Sequence, residues 1–181
     1  MELEKTPESV HHRDAMGRTA LDWATARAQL TTMGILIRAG ASVDSMDREG
    51  RTAVLHAVDS GSCDALRILI GAKANVNPIV REGLFRSSPL IAAAFGGKLS
   101  MVELLLNAGA DVHARNPEGR TALYAVASMQ GEGCADRVAI ARLLLGRGAD
   151  ILETPSESSP LFAAISRNNH AVLKCFVDWL L

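Results

Sequence analysis

The chain repeats itself, and that constrains its fold more than any other feature. GRTALDWA, beginning at Gly17, and GRTAVLHA, beginning at Gly50, are offset by 33 residues, and GRTALYAV begins at Gly119. SSPLIAAA from Ser87 and SSPLFAAI from Ser158 supply the two remaining copies. With the hydroxyl residue of each copy as anchor, Thr19, Thr52, Ser88, Thr121 and Ser159 are spaced by 33, 36, 33 and 38. A period of this length marks supersecondary units that cannot bury their apolar faces alone and do so by stacking on their neighbours. Five units follow, about 14–46, 47–82, 83–115, 116–153 and 154–181, after an N-terminal extension or partial finger over 1–13.

Each unit predicts two helices. An apolar residue stands two after the anchor (Leu21, Val54, Leu90, Leu123, Leu161) and a small one five after it (Ala24, Ala57, Ala93, Val126, Ala164). A second apolar block follows as GILIRAGA, RILIGAKA, ELLLNAGA, RLLLGRGA and KCFVDWLL. The anchor hydroxyl can accept from free amides of the first helical turn, and Pro89 and Pro160 come next, where a missing amide costs nothing. Gly40, Gly109 and Gly148 stop the second helix because glycine takes a left-handed conformation without penalty. Lys73 holds the equivalent place in unit two; a left-handed lysine there costs about 1 to 2 kcal/mol, so that helix end is open to remodelling.

Five copies in register resemble the ankyrin repeat, whose signature is Thr-Pro-Leu-His-x-Ala at this period. The resemblance covers Asp14 to Leu181. It implies an all-α ankyrin-repeat solenoid of stacked helix-turn-helix units with β-turn fingers, curved into an extended concave face. The departures are specific. Asp22, Leu55, Ile91, Tyr124 and Phe162 occupy the place of the signature histidine, which puts that residue's hydrogen-bond network in doubt. The spacings place one insertion around Asn77–Ser87, enlarging a finger, and another around Met129–Asp136, between the helices of unit four.

Composition excludes several functions. Nineteen basic and 20 acidic residues leave a net charge of −1, against a surface built to neutralise phosphates, so no nucleic-acid partner is expected. At 4%, aromatic residues are too scarce for a base-stacking platform. No apolar run approaches a membrane span, and MELEKTPESV lacks the basic and apolar stretches of a secretory signal, so an intracellular, cytoplasmic or nuclear location is expected. Cys63, Cys134 and Cys175 are an odd number with no CxxC pair, which fits reduced thiols.

No catalytic constellation emerges, and no cofactor or metal is expected. Gly146-Arg147-Gly148-Ala149 falls at an ordinary helix stop, not after a strand, and Gly131-Glu132-Gly133 lacks a third glycine. His11 and His12 with Asp14 provide too few ligands for structural zinc. His56, His113 and His170 sit at different phases of the repeat and point to no common site.

What remains is binding to another protein. Carried over unit by unit, the family's finger tips and first-helix faces put the contact at Arg48, Arg51, Leu84, Phe85, Phe95, Arg120, Met129 and Arg167. Phe85 and Phe95 belong to the central unit, where a hot spot is expected; the alternative is that each packs within its own unit. Trp23 is read as half-buried at the edge of unit one. The interleaved Glu49, Glu82 and Glu118 make a mixed-charge rim. A second reading makes the array the regulatory or substrate-recruiting part of a larger multidomain enzyme. The apolar ending through Trp179–Leu181 suggests end-to-end contact, and the resemblance would allow hydroxylation of Asn77.

Overall fold

The computed structural model describes residues 10–78, 88–129, 135–152 and 159–181, which form ten α-helices and no β-strand among them. Unit one holds α1 (Ala20–Ala26) and α2 (Leu30–Arg38), and unit two holds α3 (Ala53–Ser60) and α4 (Cys63–Gly71). Unit three holds α5 (Pro89–Phe95) and α6 (Leu99–Asn107), unit four α7 (Ala122–Ser128) and α8 (Ala135–Gly146), and unit five α9 (Pro160–Ser166) and α10 (His170–Leu180). Two compact bodies result, Met1–Arg86 and Ser87–Leu181. In the first, α1 packs on α3 and α2 on α4, while each helix also meets its partner within the unit. In the second, first helices stack as α5, α7 and α9, and second helices as α6, α8 and α10.

The core follows the repeat. The small residues Ala24, Ala57, Ala93, Val126 and Ala164 are all buried, which lets neighbouring first helices approach closely. Leu69, Leu105, Leu144 and Phe176 of the second helices are likewise buried, each removing a side chain from water for about 1.5 to 3 kcal/mol.

Capping divides the anchors. The hydroxyls of Thr19, Ser88 and Thr121 accept from the backbone amides of Asp22, Ile91 and Tyr124, all at 3.3 Å. Contrary to the pattern, Thr52 and Ser159 make no side-chain cap. Ser159 Oγ instead donates to the Ile151 carbonyl at 3.0 Å, and Thr52 Oγ1 is buried with no hydrogen-bond partner.

The lysine stop is not remodelled. Lys73 is left-handed with φ 65°, beside 88° for Gly40, 87° for Gly109 and 93° for Gly148. The same closing bond runs from Ala74 N to the Leu69 carbonyl at 3.0 Å as from Ala41 N to that of Leu36 at 2.9 Å. Tertiary packing therefore imposes the turn on a residue that disfavours it.

Unit four is where the regular helix–helix turn is lost. In the other units the residue following that turn donates back to the first helix, as Gln29 N does to Ala24 O at 2.8 Å and Ser62 N to Ala57 O at 3.2 Å. After α7, Met129 is extended, with φ −78° and ψ 126°. Asn169 of unit five supplies the missing donor: its Nδ2 lies 3.4, 3.3 and 3.2 Å from the carbonyls of Val126, Ala127 and Met129. Its Oδ1 accepts from Val172 N at 3.3 Å and so also caps α10.

Candidate functional site

The fingers set up the site. Asp14 Oδ1 accepts from the amides of Met16 at 2.8 Å and Arg18 at 2.9 Å. Asp47 Oδ1 accepts from those of Glu49 and Arg51, both at 2.9 Å. These short side chains fold each tip into a tight turn by bonding to the backbone ahead of them. Gly17 lets the two tips touch: its φ is 77°, and a Cβ there would stand 3.1 Å from Arg48 N. The Arg48 amide donates to the Met16 carbonyl at 2.9 Å, and Arg13 Nη1 to that of Met46 at 2.6 Å, tying finger one to finger two.

Between these fingers and the helices α1 and α3 lies a cleft of about 460 Å³. At its rim Trp23 is 36% exposed, with the guanidinium groups of Arg18 and Arg27 each 4.2 Å from its ring centroid. Its indole Nε1 donates to Asp14 Oδ2 at 2.9 Å, and the same oxygen pairs with Arg18 Nη2 at 2.8 Å. Partial desolvation pushes the Asp14 carboxyl up, but hydrogen bonds from the Arg18 amide, the Trp23 indole, the Arg18 guanidinium and the Met16 amide outweigh it. The group titrates well below the usual carboxylate range.

The floor is buried and charged. Asp22 is 1% exposed, and its Oδ2 accepts from Thr19 N at 2.7 Å and Thr19 Oγ1 at 2.8 Å. Burial raises its pKa, against the Thr19 hydrogen bonds and the pull of His56. His56 Nε2 lies 3.3 Å from Asp47 Oδ2, close enough for an ion pair when the imidazole is protonated but outside hydrogen-bond geometry. At the rim Arg51 pairs with both Glu49 and Asp59.

Of the residues expected at the site, Arg48 and Arg51 belong to this body, Arg48 on the finger and Arg51 lining the cleft. Phe95, Arg120, Met129 and Arg167 belong to the second body. There Phe95 ends α5 with 56% of its surface exposed, Arg120 lies 5.1 Å from the Tyr124 ring, Met129 is half-buried, and Arg167 is exposed. Leu84 and Phe85 lie outside the described residues, as do most of the Asn77–Ser87 stretch and the middle of Met129–Asp136. Asn77 itself is exposed.

Sequence reasoning gave Asp22 and His56 no site role, did not consider Asp47, and treated Trp23 as an edge residue. The structure makes Trp23 the rim of the cleft and brings the other three together beneath it. A signal was present. Asp22 stands where the family's histidine belongs, and in the next unit a histidine stands one residue later.

Comparison with known proteins agrees with this architecture. The family model described as ankyrin repeats (3 copies) matches residues 3–80 and 74–155. The chain belongs to the ankyrin-repeat family. Beyond the span that the family model matches, α9 and α10 repeat the same helix pair. An ankyrin repeat and KH domain-containing protein of Caenorhabditis briggsae is 32% identical over 97 residues, 50% of this chain but 3% of that protein. This ankyrin-repeat chain thus spans only a small part of the length of that curated relative. The human ASB11 ankyrin repeat domain superposes with a TM-score of 0.80 over 94% of this chain and 72% of its own, at 23% identity, a likeness of fold. Among the described residues, no helix is long and apolar enough to cross a membrane.

Proposed function

We infer that this ankyrin-repeat chain holds a partner protein at the cleft of its first body, with Trp23 and its two arginines as the anchor. Ankyrin repeats are generally protein–protein interaction modules, and the observation carrying the finer reading is the Arg18–Trp23–Arg27 stack at the mouth of the 460 Å³ cleft. Tryptophan and arginine dominate binding energy where they sit together at an interface. Arg48 and Arg51 extend this contact, Phe95, Arg120, Met129 and Arg167 are the second body's contribution, and Leu84 and Phe85, outside the described residues, complete the proposed set. Capture from cell lysate with wild type, Trp23→Ala and Phe95→Ala side by side tests the assignment. Trp23→Ala is expected to lose captured proteins at least tenfold while its melting temperature stays near wild type. Undiminished capture would move the contact elsewhere.

A second contact is proposed at the far end of the second body. Ile165 is 53% exposed, whereas its counterparts Ala94 and Ala127 are buried beneath the following helix pair. Phe162, Val177, Trp179, Leu180 and Leu181 widen the patch. A second copy presenting the same apolar face covers it as a symmetric dimer. Sedimentation equilibrium is expected to give a dimer that Ile165→Asp abolishes; monomers in both samples would reject the contact.

A further inference from the structure

The charges around the cleft do not balance, and the imbalance says what kind of group enters it. Arg18 is spent on Asp14, which lies outside the lining, Arg27 stacks on the Trp23 ring, and Arg51 is held by Glu49 and Asp59. Beneath them the carboxylates of Asp22 and Asp47 share a single imidazole, that of His56. Buried carboxylates ordinarily find a countercharge or a full set of hydrogen bonds. Here the Asp47 side chain is 4% exposed and that of His56 9%, and His56 Nε2, buried in the cleft lining, makes no hydrogen bond. Burial raises the pKa of Asp22, and the neighbouring Asp47 carboxylate adds to the rise.

The wall above this floor is different. Met16, Ala26 and the part of Trp23 left exposed beside its two arginines add apolar surface to the lining of the same cleft. An apolar wall over an anionic floor suits a side chain with an aliphatic stem and a cationic tip. We propose that the cleft is a specificity pocket for a basic residue, arginine or lysine, of the partner protein, its stem against Met16 and Trp23 and its cation between Asp22, Asp47 and His56. The alternative, a carboxylate captured by Arg27, would put an anion above two buried carboxylates.

The inference rests on the cleft being the partner site, and its test is independent of the partner's identity. The full chain with isotope-labelled histidine rings is titrated at constant ionic strength with Nα-acetyl-argininamide, Nα-acetyl-lysinamide and, as contrast, Nα-acetyl-glutamic acid amide. The basic probes are expected to shift the His56 ring signals saturably, with half-saturation in the millimolar range, while His113 and His170 stay put. Asp47→Asn keeps an oxygen for the amides of Glu49 and Arg51 and is expected to weaken the response at least tenfold. Should that variant fail to fold, the contrast between arginine and glutamate probes in the wild type decides alone. A response to glutamate equal to or above that of arginine, or no saturable response to either basic probe, would overturn the proposal. Were Trp23→Ala to abolish partner capture while the basic probes failed to bind, the cleft would stand and the ligand class would fall; undiminished capture would remove the cleft itself.

Discussion

Asp22 and Lys73 show at the residue scale how the fold makes unfavourable side chains do structural work. Asp22 closes the α1 cap, yet its pKa is raised above the ordinary value of 3.8 by burial. The folded state therefore binds its proton more tightly than the unfolded chain. Its contribution to stability is fully present below that ordinary value and is lost as pH rises through the raised folded one. Asp22→Asn keeps an acceptor for Thr19 and is expected to raise the melting temperature at about pH 7, the gain vanishing by about pH 3 in thermal melts followed by circular dichroism. Asp14 has the opposite sign: its lowered pKa adds stability above the ordinary carboxylate range that is lost on acidification. For Lys73, left-handed at φ 65°, replacement by glycine is expected to stabilise by about 1 kcal/mol in urea titrations.

At the scale of the element, repeated sequence does not mean repeated contacts. Thr121 caps α7, whereas Thr52 at the same position of unit two buries its hydroxyl without a partner. Thr121→Val is expected to cost about 0.5 to 2 kcal/mol, while Thr52→Val, which removes an unsatisfied buried group, is neutral or stabilising. Urea midpoints of the two variants check this contrast; equal losses would mean the caps are equivalent. Asn169 is worth more than an ordinary cap, because one side chain serves the end of α7 and the start of α10. Asn169→Ala is expected to destabilise by about 1 to 3 kcal/mol, with hydrogen exchange accelerated at both helix ends.

Across the whole molecule, stability is held in contacts between neighbouring units. Leu105 is buried in α6, which packs on both α5 and α8. Leu105→Ala is expected to cost about 2 to 5 kcal/mol as a core cavity. Hydrogen exchange is expected to report lost protection in α8 as well as α6, since each repeat is stabilised by its neighbours. The helix pairs were legible in the sequence. They depend on signals that act within a few residues: a hydroxyl before a helix, a left-handed stop after one, apolar side chains at helical spacing. The cleft was legible only in part. Asp22 on α1, Asp47 on a finger and His56 on α3 meet because of the offset at which unit two stacks on unit one, and the apolar pattern that drives stacking does not encode that offset. The same holds for Asn169 reaching back to Met129. Local chemistry decided what this chain folds into; only tertiary packing decided which of its polar side chains share a site.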